Sequence, residues 1–226
     1  MKLALFDLDG TLIETDSDHA FGEFMVRVGW VDGDVFKRRN DAFYEDYQAA
    51  RLDLDAYIEF ATAAWRRRPE PEALAVRERF MQEVMRPAMQ PCARALVQEH
   101  RAGGDLVAIV TSTNEFVTRP IAEAFGVTEL IAVELARDHN GAVTGAVRGV
   151  PSFREGKIVR VEQWLAGQGL RHADFERVTF YSDSTNDLPL LEWATHPVAT
   201  NPGPALAAIA RERGWPVLNL FSEKET

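Results

Sequence analysis

The sequence predicts an α/β protein built on a doubly wound, mostly parallel sheet, with a helical unit inserted into it. Two observations lead to this fold class. Short runs of β-branched and aliphatic residues alternate with helical patterns, which is typical of a parallel sheet covered on both faces. The first run is separated from the second by about 100 residues. One crossover helix does not require that length, so an independent insert is expected.

The predicted strands all lie outside the insert, and their end residues supply the chemistry discussed below. They span 3–8, 106–111, 130–135, 178–182 and 197–200. With the helices between them they form a Rossmann-like core over residues 1–13 and 92–226. The dipeptide Asn140-Gly141 follows the third strand and is flanked by Val143 and Thr144. It predicts a β-hairpin within residues 138–149.

The insert, residues 14–91, is predicted to be a helical cap. Asp16, Asp34 and Asp53 each precede apolar residues at helical spacing and are suitable helix N-caps. A fourth helix is expected over 72–85, between Pro71 and Pro87. The insert thus carries its own set of helix start and stop signals.

The composition of the 226-residue chain is that of a water-soluble globular protein, with 46% apolar residues. Lys and Arg number 25 against 35 Asp and Glu, giving a net charge of −10, which argues against nucleic-acid and anionic membrane partners. The first apolar run ends at Asp7, too early for a secretory signal. The single Cys92 excludes an intramolecular disulfide. We therefore expect a cytoplasmic protein, and its oligomeric state stays open.

Acidic residues follow two of the predicted strands. Asp7 and Asp9 end the first strand, and Asp183 and Asp187 follow the fourth, at the sheet edge where ligands bind in doubly wound folds. Two like charges about 4 Å apart repel by roughly 4 kcal/mol at an effective dielectric near 20, so four acids in one crevice require a cation. Mg²⁺ prefers such oxygen ligands. The site would then attract a phosphate, and Lys157 can supply further positive charge.

The end of the second strand offers groups that bind anions. Thr111 and Ser112 provide a hydroxyl and a backbone N–H, and a helix is predicted to begin near Asn114. Asp7 and Asp9 lie two residues apart on an extended segment, so their side chains leave it on the same side. These groups predict a phosphate site beside the acids.

In this order along the chain, the residues resemble the motifs of the haloacid dehalogenase superfamily of phosphohydrolases, and most closely its phosphoserine-phosphatase-like branch. The resemblance covers essentially the full length, and the insert is similar to that family's type 1 cap. It implies a Mg²⁺-dependent phosphatase that acts on a small-molecule phosphate ester. The acid at Asp9, two residues after the nucleophile position, favours a phosphatase over a dehalogenase.

The resemblance also implies roles for individual residues. Asp7 would attack phosphorus to give an aspartyl-phosphate, and Asp9 would first protonate the leaving group and then activate water. Mg²⁺ would be held by Asp7, the carbonyl of Asp9 and Asp183, with Asp187 orienting water or metal. The phosphoryl oxygens would be held by Thr111, the Ser112 backbone, Lys157 and Asn186.

The insert carries the expected leaving-group contacts. In similar phosphoserine phosphatases a Glu and an Arg grip the serine, and their positions fall here at Asp16 and, in an ungapped placement, near Glu59. A glutamate cannot pair with a carboxylate. With Asp18 nearby, these acids favour a cationic leaving group, an amino-alcohol phosphate such as histidinol phosphate. His19 is interpreted as a capping or surface residue.

Three other functions are compatible with parts of this pattern. A phosphotransferase or phosphomutase would use the same aspartyl-phosphate, and the sequence does not separate these from a hydrolase. A signalling receiver also surrounds Mg²⁺ with carboxylates, a Thr and a Lys, but it is shorter and has no counterpart of Asp9. A non-catalytic phosphate-binding protein is disfavoured because every residue that the chemistry requires is present.

Overall fold

A computed structural model describes residues 1–221 and contains a six-stranded, fully parallel sheet in the order β3-β2-β1-β6-β7-β8. The strands are β1 (Lys2–Phe6), β2 (Leu106–Asn114), β3 (Glu129–Val133), β4 (Leu135–Arg137), β5 (Val143–Val147), β6 (Arg177–Ser182), β7 (His196–Thr200) and β8 (Val217–Leu218). Strands β4 and β5 pair antiparallel as a separate hairpin. The predicted sheet is confirmed, and β8 is an addition. The predicted hairpin forms around Asn140-Gly141, but its first strand, β4, lies before the predicted range of 138–149.

The order of the strands reverses between β1 and β6. Leu3 of β1 pairs with Leu106 of β2 on one side and with Val178 of β6 on the other. From this central pair the chain adds β2 and β3 in one direction and β6, β7 and β8 in the other. Ligands of doubly wound sheets bind at such a switch, beyond the carboxyl ends of the strands.

Strand β1 contributes to an apolar core on each face of the sheet. Ala4 and Phe6 belong to one buried cluster, and Leu3 and Leu5 belong to the other. Successive side chains of a strand point to opposite faces, so this continuous apolar run fits a sheet that is covered on both sides.

Six helices lie between β1 and β2. They are α1 (Ser17–Arg27), α2 (Gly33–Gln48), α3 (Leu54–Ala63), α4 (Glu70–Phe80), α5 (Arg86–Ala88) and α6 (Pro91–Ala102), with a π-helical stretch over Met81–Met85. Asp16 caps α1 and Asp53 caps α3 as predicted, each accepting a backbone N–H. The prediction for α2 was wrong by two residues, because Asp32 rather than Asp34 is its N-cap.

The insert packs on one face of the sheet through aromatic side chains. Phe21 and Phe24 of α1 contact Phe80, with ring centroids 5.0 and 5.6 Å apart, and all three belong to the cluster that contains Phe6. This packing fixes the first turn of α1 beside the end of β1. The boundary of the cap at residues 14–91 stays a prediction.

Four further helices belong to the core within residues 1–221. They are α7 (Glu115–Ala124), α8 (Glu155–Gly167), α9 (Leu188–Trp193) and α10 (Pro204–Arg213), with 3₁₀ turns at His172–Asp174 and Thr185–Asp187. Asn114 caps α7, accepting from the backbone N–H groups of Phe116 and Val117 at 3.1 and 3.3 Å. Within residues 1–221, none of the helices combines the length and apolar character needed to cross a bilayer.

Candidate active site

The ends of β1 and β6 bring Asp7 and Asp183 together. The Thr11 hydroxyl oxygen lies 3.2 Å from Asp7 Oδ2 and 3.1 Å from Asp183 Oδ1, so it bridges the two carboxylates. Gly10 has φ +73°, and a Cβ there would lie 2.3 Å from Asp183 Oδ2. Only glycine permits both this backbone conformation and this close approach.

A fully buried Lys157, in the first turn of α8, joins the two strand ends. Its Nζ lies 2.9 Å from Asp7 Oδ1 and 2.8 Å from Asp187 Oδ2, and the Ser182 hydroxyl donates to the same Asp187 oxygen at 2.8 Å. Burial alone would lower the pKa of Lys157, but Asp187 and Asp7 raise it above its ordinary value. We expected Asp187 to orient water or metal, whereas the structure directs it to Lys157 and Ser182.

The pKa values of Asp7 and Asp183 are both raised, so the two carboxyl groups do not readily ionise at the same time. Burial raises the pKa of Asp7 to about 7, reinforced by Asp187 and opposed by Lys157. Burial, Asp7 and Asp187 raise the pKa of Asp183 well above its usual range. A cation between Asp7 and Asp183 would reverse both shifts.

Asp9 is held by two donors from different elements. Its Oδ1 accepts from the Ser17 backbone N–H at 2.7 Å, and its Oδ2 accepts from the Thr113 hydroxyl at 2.9 Å. Burial and the charge of Asp16 raise the pKa of Asp9 to about 7, while the bonds from Ser17 and Thr113 oppose this rise. The carboxyl group is thus anchored to the insert on one side and to β2 on the other.

Two of the predicted phosphate-binding residues lie at the end of β2. Thr111 is buried, and its Oγ1 accepts from the Thr113 backbone N–H at 3.1 Å. The Ser112 hydroxyl is buried without a hydrogen-bond partner within residues 1–221. Asn186 is placed differently from our expectation, since its side-chain NH₂ donates to the Tyr47 carbonyl of α2 at 3.1 Å. The Asn186 side chain therefore links the core to the insert.

A small cavity lies between these core residues and the insert. Its lining includes four acids, four aromatic residues and a histidine, namely Asp7, Asp9, Asp16, Asp18, Phe43, Tyr44, Tyr47, Tyr57 and His19, together with Thr111, Ser112 and Thr113. A second, more open hollow reaches Asp183 and shares Asp9, Asp16, Tyr44 and Tyr47 with the first. Asp9 and Asp16 thus border both spaces.

The insert side of the cavity contains a second group of acids. Asp18 is 4% exposed, and the Asn114 side-chain NH₂ lies 3.1 and 3.2 Å from its two oxygens. Burial and Asp9 raise the pKa of Asp18 to about 7, although hydrogen bonds from Tyr57 and Asn114 oppose this. Burial and Asp18 raise the pKa of Asp16 to about 6. No lysine or arginine within residues 1–221 forms an ion pair with Asp16 or Asp18.

His19 and Glu59 both differ from their sequence interpretation. His19 lines the cavity, with its Nε2 2.8 Å from Asp41 Oδ1 and its ring centroid 4.9 Å from that of Tyr44. Glu59 lies outside the cavity lining; its side chain is 57% exposed and pairs with Arg66 at 2.7 Å. The pair lies against Gly145 of β5, away from the cavity lining, so the ungapped placement failed there.

Comparisons with known proteins identify the family to which the chain is similar. The family model of haloacid dehalogenase-like hydrolases matches residues 4–192. A histidinol-phosphatase of Neisseria meningitidis serogroup C (strain 8013) is 44% identical over 218 residues, which cover 96% of this chain and 98% of that protein. A phosphoserine phosphatase of Mycobacterium tuberculosis is 30% identical, over 95% of this chain and 69% of that protein.

Two solved structures are similar to the whole chain. A protein of unknown function from Bordetella pertussis Tohama I has a TM-score of 0.92 and 48% identity, covering 97% of this chain and 99% of its own. A substrate-bound phosphoserine phosphatase has a TM-score of 0.67 at 17% identity, over 96% and 92% of the two chains, a likeness of fold. The chain therefore belongs to the haloacid dehalogenase-like hydrolases, and it is an enzyme of the phosphatase class.

Proposed function

We propose that this enzyme hydrolyses a small-molecule amino-alcohol phosphate, with histidinol phosphate as the leading candidate, through an aspartyl-phosphate on Asp7. The observation that carries this proposal is the pair of acids, Asp16 and Asp18, on the insert side of the cavity. Neither acid has a lysine or arginine partner within residues 1–221, and a substrate ammonium group would supply such a charge. The 44% identity to a protein named histidinol-phosphatase supports the same substrate.

The arrangement around Asp7 suits nucleophilic attack. Lys157 holds Oδ1 of Asp7, so Oδ2, on the Thr11 side, is the oxygen available to attack phosphorus. As the new bond to phosphorus forms, the ester P–O bond breaks, and Asp9 gives its proton to the departing alkoxide. Asp9 then takes a proton from water, which attacks phosphorus and releases inorganic phosphate and free Asp7.

The donor set fits Mg²⁺ as the cofactor. No cluster of three or more acidic, His or Cys side chains suited to a metal occurs within residues 1–221, so Asp7 and Asp183 offer a partial set. Mg²⁺ commonly takes one or two carboxylates and completes its shell with water and phosphate. Asp7, Asp183 and the carbonyl of Asp9 would hold it, because the Asp9 carboxylate is already bonded to Ser17 and Thr113. When bound, it would neutralise charge on the transferring phosphoryl group.

The remaining residues would position the phosphate. The Thr111 hydroxyl, the Ser112 backbone N–H and the Lys157 ammonium would surround its oxygens. Lys157 is already bonded to Asp7 Oδ1, so its charge would lie beside the carboxylate that attacks phosphorus. We assign Asn186 to the contact with Tyr47 rather than to direct phosphate binding. Residues 14–91 would act as the cap over the leaving group.

A release assay tests this proposal. Purified enzyme with Mg²⁺ is given histidinol phosphate, phosphoserine, glycerol phosphate and p-nitrophenyl phosphate, without any alcohol acceptor, and inorganic phosphate is measured. We expect release from all esters that fit, with the highest kcat/KM for histidinol phosphate, and loss of release with EDTA that Mg²⁺ restores. Equal or faster turnover of phosphoserine would refute the amino-alcohol assignment, and turnover that requires an added acceptor would identify a phosphotransferase.

A further inference from the structure

We propose that Thr113 is the positioning residue for the acid–base step: its hydroxyl aims the Asp9 carboxyl group at the leaving-group oxygen. The inference rests on the proposed function, because it needs Asp9 to protonate that oxygen. Thr113 lines the same cavity as Asp9 and is 6% exposed. Its hydroxyl donates to Asp9 Oδ2 at 2.9 Å, over 104 residues of intervening sequence.

One bond alone does not fix the orientation of an aspartate carboxyl group. Rotation about the terminal bond of Asp is broad and roughly two-fold, and the Ser17 N–H restrains only Oδ1. The Thr113 hydroxyl restrains the other oxygen and so fixes the carboxyl plane. Removing the hydroxyl leaves Asp9 Oδ2 without its protein donor and frees the carboxyl plane to rotate.

Thr113 also connects the acid to the phosphate site. Its backbone N–H donates to Thr111 Oγ1 at 3.1 Å, which leaves the Thr111 hydroxyl hydrogen free to point at a phosphoryl oxygen. The two residues lie two positions apart at the end of β2, so both side chains project on the cavity side. Thr113 therefore sets the distance between the carboxyl group of Asp9 and the hydroxyl of Thr111.

A valine at position 113 separates the hydroxyl bond to Asp9 from the backbone bond to Thr111. Thr113→Val keeps the branched shape and the backbone N–H to Thr111, and it removes only the hydroxyl that reaches Asp9. Thr113→Ser keeps the hydroxyl and removes a methyl group. Thr128→Val, on an exposed residue outside the cavity, makes the same chemical change as a matched control.

The test compares two leaving groups. A nitrophenolate departs without a proton, whereas an alkoxide needs the one that Asp9 supplies. The quantity measured is kcat/KM, which reports the steps up to departure of the leaving group and is insensitive to later hydrolysis of the aspartyl-phosphate. Substrates are p-nitrophenyl phosphate and histidinol phosphate, or the alkyl ester that wild type hydrolyses fastest.

For Thr113→Val we expect kcat/KM to fall about 10- to 100-fold with the alkyl ester and by less than about twofold with p-nitrophenyl phosphate. Thr113→Ser should restore the alkyl rate to within about threefold, and Thr128→Val should match wild type. Equal losses on both substrates, or a Ser variant as slow as Val, would show a packing role and overturn the inference. Absence of wild-type turnover on every ester would instead refute the proposed function.

Discussion

The core side and the insert side of the candidate active site handle negative charge in different ways. On the core side, Asp7 and Asp187 are bonded to a buried Lys157 that belongs to the same chain. On the insert side, Asp16 and Asp18 have hydrogen-bond donors, among them Asn114, but no lysine or arginine ion pair within residues 1–221. The core half carries part of its counter-charge in Lys157, and under the proposed function the insert half takes its counter-charge from the substrate.

This difference suggests separate roles for the two sides, phosphoryl transfer on the core side and substrate preference on the insert side. A fixed internal cation suits a step that every phosphate ester shares, because it orients the same nucleophile for each substrate. Acids held by neutral donors suit discrimination among substrates, since the cost of burying their charge is offset only by a ligand of opposite charge. Substitutions in the core half should therefore abolish chemistry, and substitutions in the insert half should change which ester is preferred.

The largest effect is expected from Asp7→Asn. An amide does not attack phosphorus, so phosphate release should fall by roughly 10⁴-fold or more with every ester. Rates are measured as inorganic phosphate with Mg²⁺ present. Asp34→Asn, at an exposed site in the first turn of α2, is the matched control and should retain full activity. A selective loss on amine-bearing esters alone would contradict the division between the two halves.

Lys157→Met tests whether the core half needs its internal cation. The variant leaves Asp7 and Asp187 buried without their partner, and breaking such a pair costs about 3–5 kcal/mol of the free energy of unfolding. The free energy of unfolding, measured with urea at neutral pH, and the rate of phosphate release should both decrease. Lys2→Met, an exposed lysine on β1, should change neither. Unaltered stability in Lys157→Met would show that the pair is not what neutralises this half.

The core was predictable from the sequence because its signals are local. The apolar run at the start of the chain reads as a buried strand from its own residues, and Asp7 and Asp9 follow it directly. Pairing order places Asp183 beside them, and that follows from the general rule for doubly wound sheets. The two-residue strand β8 carries too short a pattern to be predicted.

The insert half was less predictable because tertiary packing decides which helix faces reach the cavity. Asp16 was placed by its capping signal, but His19 on the same helix enters the cavity through packing of α1 against α2. Glu59 was misplaced because no local pattern shows that α3 presents it to solvent. The alternation of Thr111 and Thr113 along β2 is a signal that could have identified Thr113.

Asp18→Asn should show how much the buried charge of Asp18 lowers the free energy of unfolding. The Asp18 pKa rises from an ordinary 3.8 to about 7 on folding, so between these values the folded state binds more protons than the unfolded state. Stability of the ligand-free protein should therefore fall as pH rises from about 4 through 7, by up to about 4 kcal/mol from this group. The Asn variant should lose that part of the slope in urea unfolding measured across this range.

The same variant distinguishes stability from recognition. At pH 8 Asp18→Asn should be more stable than wild type without ligand, yet its kcat/KM should drop more for histidinol phosphate than for p-nitrophenyl phosphate. A variant that is less stable at pH 8, or that loses activity equally on both esters, would show that Asp18 serves packing rather than a cationic ligand.

Glu59→Gln should have the smallest effect and sharpens the boundary of the insert half. Glu59 is acidic like Asp18, but its side chain is 57% exposed, pairs with Arg66 and lies outside the cavity lining. Because solvent screens the charge of Glu59, the pair should contribute about 1 kcal/mol or less to the free energy of unfolding, and the preference among esters should stay as in wild type. A changed preference would show that residues outside the cavity also contact the substrate. Glu59 could do so only if the insert rearranges, because solvent screens its charge at its present position.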